Sequence, residues 1–121
     1  MSAPAKPRQP VIIRRIAGLM ILHFLCEKRM HGYDIWKKLE QVFRVKVPHP
    51  IVYKLLREYE EYGLVRSSWV HSETGPAKKI YEITEDGINL LRNNLDFLKK
   101  LRDILTDIVN FIEKKLMEQQ T

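Results

Sequence analysis

The side chains in this sequence best suited to chemistry are cationic and aromatic rather than nucleophilic. Tyr53, Lys54 and Arg57 lie close together, Lys78 and Lys79 form a basic pair further on, and His49 stands between two prolines. Lysine and arginine neutralise phosphates and release their counterions, while polar groups beside them reach base edges or sugars. Patterns for covalent catalysis are missing: there is no GxSxG and no glycine-rich phosphate loop, and only 5 glycines occur in all. His23, His31, His49 and His71 are scattered without metal-ligand spacing, and neither CxxC nor HExxH occurs. These residues argue against an enzyme and call for no metal or other cofactor.

Charge is distributed unevenly along the chain. Residues 1–84 hold 15 lysines and arginines against 8 acidic residues, whereas residues 85–121 hold 6 against 7. The formal excess of +6 therefore belongs to the first part, and concentrated positive charge favours a polyanion such as nucleic acid. Glu58, Glu60 and Glu61 oppose this, because they lie beside Lys54 and Arg57. The 121 residues suit one domain with an extended helical arm. No apolar run approaches the roughly 20 residues needed to cross a bilayer, and no signal peptide is evident, so the expected location is cytoplasmic. Cys26 is the single cysteine; its apolar neighbours Leu22, Phe24 and Leu25 predict a buried structural thiol.

The elements that must position these side chains follow from periodicity. Residues 1–10, rich in proline, read as a disordered arm. From Val11 to about Glu27 a helical period predicts an apolar face of Ile12, Ile16, Leu19, Met20, Phe24 and Cys26, widened by Leu22 and Leu25. A second helix is expected over Tyr33–Phe43, with Ile35, Trp36, Leu39, Val42 and Phe43 inward. The following RVKVP is β-prone. A third helix starts near Pro50 and stops at Gly63, because proline suits the first turn and glycine the left-handed position after the last. Val52, Leu55, Leu56 and Tyr59 share its core side; Tyr53, Lys54, Arg57 and Glu61 share the other.

Beyond Gly63 the period drops to two. LVRSSWV and KKIYEIT alternate as strands around the turn segment HSETGPA, which makes a β-hairpin; Trp69 and Tyr81 suit the core at its base more than a role as stacking platforms. Thr84 then caps a helix over about 85–118, with Glu85 and Asp86 in its first turn. A helix of that length spans roughly 50 Å. Its apolar row, which includes Leu98, Leu101, Leu105, Ile108 and Ile112, exceeds what a domain this small can cover, so a second copy is expected along it. The fold class is mainly α (α+β): a winged helix-turn-helix over 11–84, with a long C-terminal dimerisation helix over 85–121. The hairpin is the wing.

At this point three segments resemble the PadR family of transcriptional regulators. GLMILHFLCEKRMHGYDI resembles the family's opening, with His31, Gly32, Tyr33, Asp34 and Ile35 at the start of the second helix. IVYKLLREYEEYGLV resembles its recognition helix. GPAKKIYEIT with Glu85, Asp86 and Gly87 resembles its wing and the residues after it. The resemblance implies a homodimer that usually represses at a palindromic operator in double-stranded DNA. It implies DNA-contacting roles for Tyr53, Lys54 and Arg57, and wing contacts to phosphate for Lys78 and Lys79. One departure is the Pro48-His49-Pro50 start of the third helix, where the family commonly has a small polar residue and glycine. His49 there either reaches a phosphate or base edge or serves as an exposed cap. Tyr33 packs, with its hydroxyl in reach of a backbone phosphate. Some members also bind small aromatic or cationic effectors at the dimer interface, a role for which Phe24, Phe97 and Phe111 are candidates, though their spacing also suits a core. The alternative to DNA binding is a winged-helix module for protein–protein assembly, its basic surface incidental.

Overall fold

The computed structural model describes residues 11–120, so the expectation for residues 1–10 lies outside the described residues. Seven elements follow in order: α1 (Val11–Glu27), β1 (Met30–His31), α2 (Gly32–Phe43), α3 (His49–Glu61), β2 (Val65–Ser72), β3 (Gly75–Ile83) and α4 (Glu85–Gln119). The sheet has the order β1-β3-β2 and is antiparallel throughout. This is the winged helix-turn-helix with its long final helix. Two compact units divide the chain between Leu91 and Arg92.

In the first unit the three helices and the sheet enclose one core. Ile21, Leu22 and Phe24 of α1 meet Ile35 and Leu39 of α2, Val52 and Leu56 of α3, and Val65 and Tyr81 of the hairpin. From α1 the core takes Leu22, Phe24 and Leu25 of the expected face, with Met20 packed against it, and adds Ala17 and Ile21, which that face had left out. Ile12 is exposed instead, near the start of the helix. Cys26 is exposed too, which corrects the buried thiol; the core side of that last turn is taken by Ile21, Phe24 and Leu25. Phe24 belongs to the core of this unit. Val42 is exposed in the last turn of α2, where Phe43 packs against the core.

The segment after α2 forms no strand. Arg44 turns left-handed (φ 57°) and its N–H donates to the Glu40 carbonyl at 2.8 Å, which ends the helix and starts a tight loop. Strand pairing appears instead at Met30 and His31, against Tyr81 and Ile80. The hairpin is longer than its sequence suggested: only Glu73 and Thr74 turn, and the flanking residues of HSETGPA join the strands. Trp69 consequently projects from the exposed stretch of the hairpin and is 64% accessible, rather than packing at its base.

Both predicted stops around the hairpin hold. Gly63 takes φ 75°, the left-handed conformation that ends α3. Thr84 caps α4: its Oγ1 accepts the Gly87 N–H at 3.2 Å and donates to the Gly63 carbonyl at 2.6 Å, which ties the two boundaries together.

The second unit is the continuation of α4 from Arg92. Ile104, Leu105, Ile108, Val109, Phe111, Ile112, Leu116 and Met117 are all exposed along it. Among the described residues, no helix is long and apolar enough to cross a membrane.

Candidate nucleic-acid interface

The tight connection between α2 and α3 is held at Val47. Its N–H donates to Glu40 Oε2 at 2.7 Å, and its carbonyl accepts the Trp36 indole N–H. Pro48 and Pro50 fix the backbone on either side of His49, which opens α3. The His49 ring lies 3.8 Å from Trp36, centroid to centroid, and within 6.4 Å of Tyr33 and Tyr53. Tyr33 in turn lies 5.5 Å from Trp36. The departure from the usual start of α3 thus supplies an aromatic cluster that stiffens the turn.

Gly32 explains how α3 sits so close to α2. A Cβ at that position would lie 2.6 Å from Tyr53 Cε1, so the tyrosine ring occupies the space a side chain would need. Tyr53 is nevertheless at the surface, with Lys54 and Arg57 exposed beside it. Among the described residues neither cation pairs with a carboxylate.

The acidic run on α3 is largely engaged elsewhere. Glu58 accepts from Arg14 on α1 through both carboxylate oxygens at 3.2 Å. Glu60 accepts from the Ser67 hydroxyl and from Lys79 Nζ at 3.3 Å. The Ser67 hydrogen bond holds the Glu60 carboxyl below its ordinary pKa; burial opposes this and Lys79 reinforces it. Lys79 also lies over the Tyr81 ring, 5.5 Å from its centroid. Burial raises the Tyr81 hydroxyl above its ordinary value.

Of the basic pair, then, Lys78 is exposed without a carboxylate partner among the described residues, while Lys79 is half-buried and ion-paired. Both line a groove of about 500 Å³ between the start of α2 and the hairpin, with Tyr33, Asp34, Tyr53 and Trp69 as further walls. The N-terminus of α2 opens here, and helix N-termini favour anions, although Asp34 already occupies part of that field. His31 Nδ1 lies 3.3 Å from the Lys79 carbonyl and joins the start of α2 to the wing. The predicted residues His49, Tyr53, Tyr33, Lys78 and Lys79 therefore meet around one groove and the start of α3, and Lys54 and Arg57 continue along that helix. Trp69 is the member that sequence patterning missed.

The family model for the transcriptional regulator PadR-like family matches residues 21–93. The chain belongs to this family. PadR-like regulators bind DNA to control transcription, and that is the activity of this chain. A solved structure assigned as a transcriptional regulator from Thermoplasma acidophilum is 30% identical, covering 84% of this chain and 97% of its own, with a TM-score of 0.78. A PadR-like transcription factor from Bacteroides fragilis is 26% identical over 80% of this chain and 93% of its own, with a TM-score of 0.69. A PadR family transcription regulator from Clostridium difficile shares the fold at a TM-score of 0.67 and 20% identity, covering 77% of this chain and 97% of its own. No curated protein matches the sequence.

Proposed function

We propose that the chain works as a homodimeric repressor on a two-fold symmetric operator, with residues 11–84 binding DNA and residues 85–121 pairing the copies. The observation that supports it most is that, among the described residues, Lys54 and Arg57 on α3 have no carboxylate partner while Glu58 and Glu60 are engaged by Arg14 and Lys79. Internal pairing offsets two of the three carboxylates of the acidic run, Glu58 and Glu60, and leaves Lys54 and Arg57 facing outward for phosphate. Tyr53, Lys54 and Arg57 act along the major groove. His49 stands at the base-facing first turn, Tyr33 reaches the backbone beside it, and Lys78 holds wing phosphates with Lys79 behind it.

Leu98, Leu101, Leu105, Ile108 and Ile112 form the seam between copies; the last three are exposed in the single chain. A symmetric pair would offer two recognition helices to successive major grooves, about 34 Å apart. Repression is the mode that the resemblance implies. A small-molecule effector bound at the seam would act by changing the separation of the two helices.

Selection of bound duplexes from a random pool tests binding, symmetry and spacing together. Inverted repeats with half-sites about one helical turn apart are expected. Recovery of a single unrepeated site would refute the symmetric assembly, and failure to enrich any sequence would refute the operator.

A further inference from the structure

Trp69 lies on the same face of β2 as Val65 and Ser67, because strand side chains alternate. Along that face Val65 is buried against the core and pairs with Ile83; Ser67 bonds Glu60 and pairs with Tyr81; Trp69 pairs with Lys79 and is left in water. Among the described residues its indole N–H has no hydrogen-bond partner, unlike that of Trp36. Its ring forms the outer wall of the groove that Tyr33, Tyr53 and Lys78 also line. A large apolar ring with a free donor, in a groove that Lys78 also lines, is suited to a surface that is anionic and yet has apolar faces. The sugar-phosphate backbone of DNA is such a surface.

We propose that Trp69 is a DNA-contacting residue of the wing: its indole packs on a deoxyribose at the edge of the groove next to the one α3 enters, and its N–H donates to the adjoining phosphate. The occupant follows from charge complementarity with Lys78 and from continuity with the face of α3 that carries Tyr53. This inference rests on the reading of α3 as the helix facing DNA. It adds an uncharged contribution to binding, which salt does not screen as it screens lysine contacts. One neutral hydrogen bond, together with the apolar area that the indole buries, corresponds to about tenfold in affinity.

The test compares Trp69→Ala and Trp69→Phe with the wild-type protein on the best duplex recovered from the random pool. Trp69→Ala should bind about tenfold more weakly with an unchanged salt slope, and Trp69→Phe should recover the part of the loss due to ring packing but not the part that the N–H supplies. The exposed position predicts unaltered melting for both variants, which separates contact from folding. In protein labelled with 5-fluorotryptophan, the two indole fluorine signals are assigned by the loss of one in Trp69→Phe. The Trp69 signal should shift on duplex addition. Wild-type affinity in Trp69→Ala, or a Trp69 signal that DNA leaves in place, would overturn this inference alone. Absence of duplex binding by the wild-type protein would overturn it together with the reading of α3.

Discussion

Salt dependence distinguishes a lysine that holds a phosphate from one that holds a carboxylate within its own chain. Each phosphate contact contributes about 0.9 to the slope of log affinity against log salt. Over a fourfold rise in salt, a single lost contact therefore narrows the gap between variant and wild type by about 3.5-fold, and two lost contacts by about twelvefold. Lys54 and Arg57 are exposed and have no carboxylate partner among the described residues, so Lys54→Ala and Arg57→Ala should each flatten the slope by about 0.9, and the double variant by about 1.8. Lys79, whose ammonium lies 3.3 Å from Glu60, serves as the internal comparison. Its loss should flatten the slope less, because an ion pair carries little net charge to the duplex. Glu60→Gln should act in the opposite direction: it frees the Lys79 charge, steepens the slope and tightens binding at low salt. Fluorescence anisotropy on a labelled operator duplex, titrated between 50 and 200 mM salt, measures all of these. Identical slopes for wild type and the Lys54/Arg57 double variant would refute the assignment of α3, and weaker low-salt binding by Glu60→Gln would refute the compensation argument.

Glutamate introduced at both Leu105 and Ile108 should give monomers by light scattering; a persistent dimer would move the interface off this row. Gly87→Ala should destabilise the fold by about 1–3 kcal/mol in urea denaturation, since its Cβ would press on the Leu64 carbonyl and lie 2.6 Å from Ile83 Cγ1; an unchanged midpoint would show that the start of α4 can shift. Glu60 has a lowered folded-state pKa, so its stabilising contribution is complete above the ordinary value of 4.5 and is lost as the pH falls through the lower, folded value. Glu60→Gln should remove that part of the acid sensitivity, as seen in denaturation midpoints measured below pH 5; a pH profile matching wild type would refute it.

Much of this architecture was legible because punctuation and period agreed. Gly63 and Thr84 mark boundaries by conformational and capping chemistry that depends on local sequence alone. The period-two stretches located the hairpin for the same reason. What failed was decided by distant parts of the chain. The first helix is apolar over most of its circumference, so periodicity found Leu22, Phe24 and Leu25 but could not show that Ala17 and Ile21 are buried as well and Ile12 and Cys26 are not; packing of the other elements decided that. Cys26 looked buried from its neighbours, yet burial depends on what faces the last turn. β1 is only Met30 and His31, too short to show a period, and it exists because β3 offers a free edge. Trp69 keeps the correct alternation but lies where the hairpin has left the core. Alternation fixes a side chain's face and says nothing about whether anything covers that face.

The acidic run on α3 illustrates how a linear reading of charge can mislead about a surface. Glu58, Glu60 and Glu61 adjoin Lys54 and Arg57 in sequence, and taken alone they would weaken any attraction to DNA. In the fold, two of the three point at cations from other elements, Arg14 from α1 and Lys79 from β3. These pairs are partly exposed, where such contacts add little stability, so their larger effect is on the field. They neutralise carboxylates that would otherwise repel a backbone, and they do so with cations drawn from the sides of the helix rather than from its exposed face. Lys54 and Arg57 are thereby left to act outward. The cost is that Lys79, basic in sequence, contributes less to the interface than Lys78 beside it, a difference that separate alanine variants of the two lysines would resolve directly.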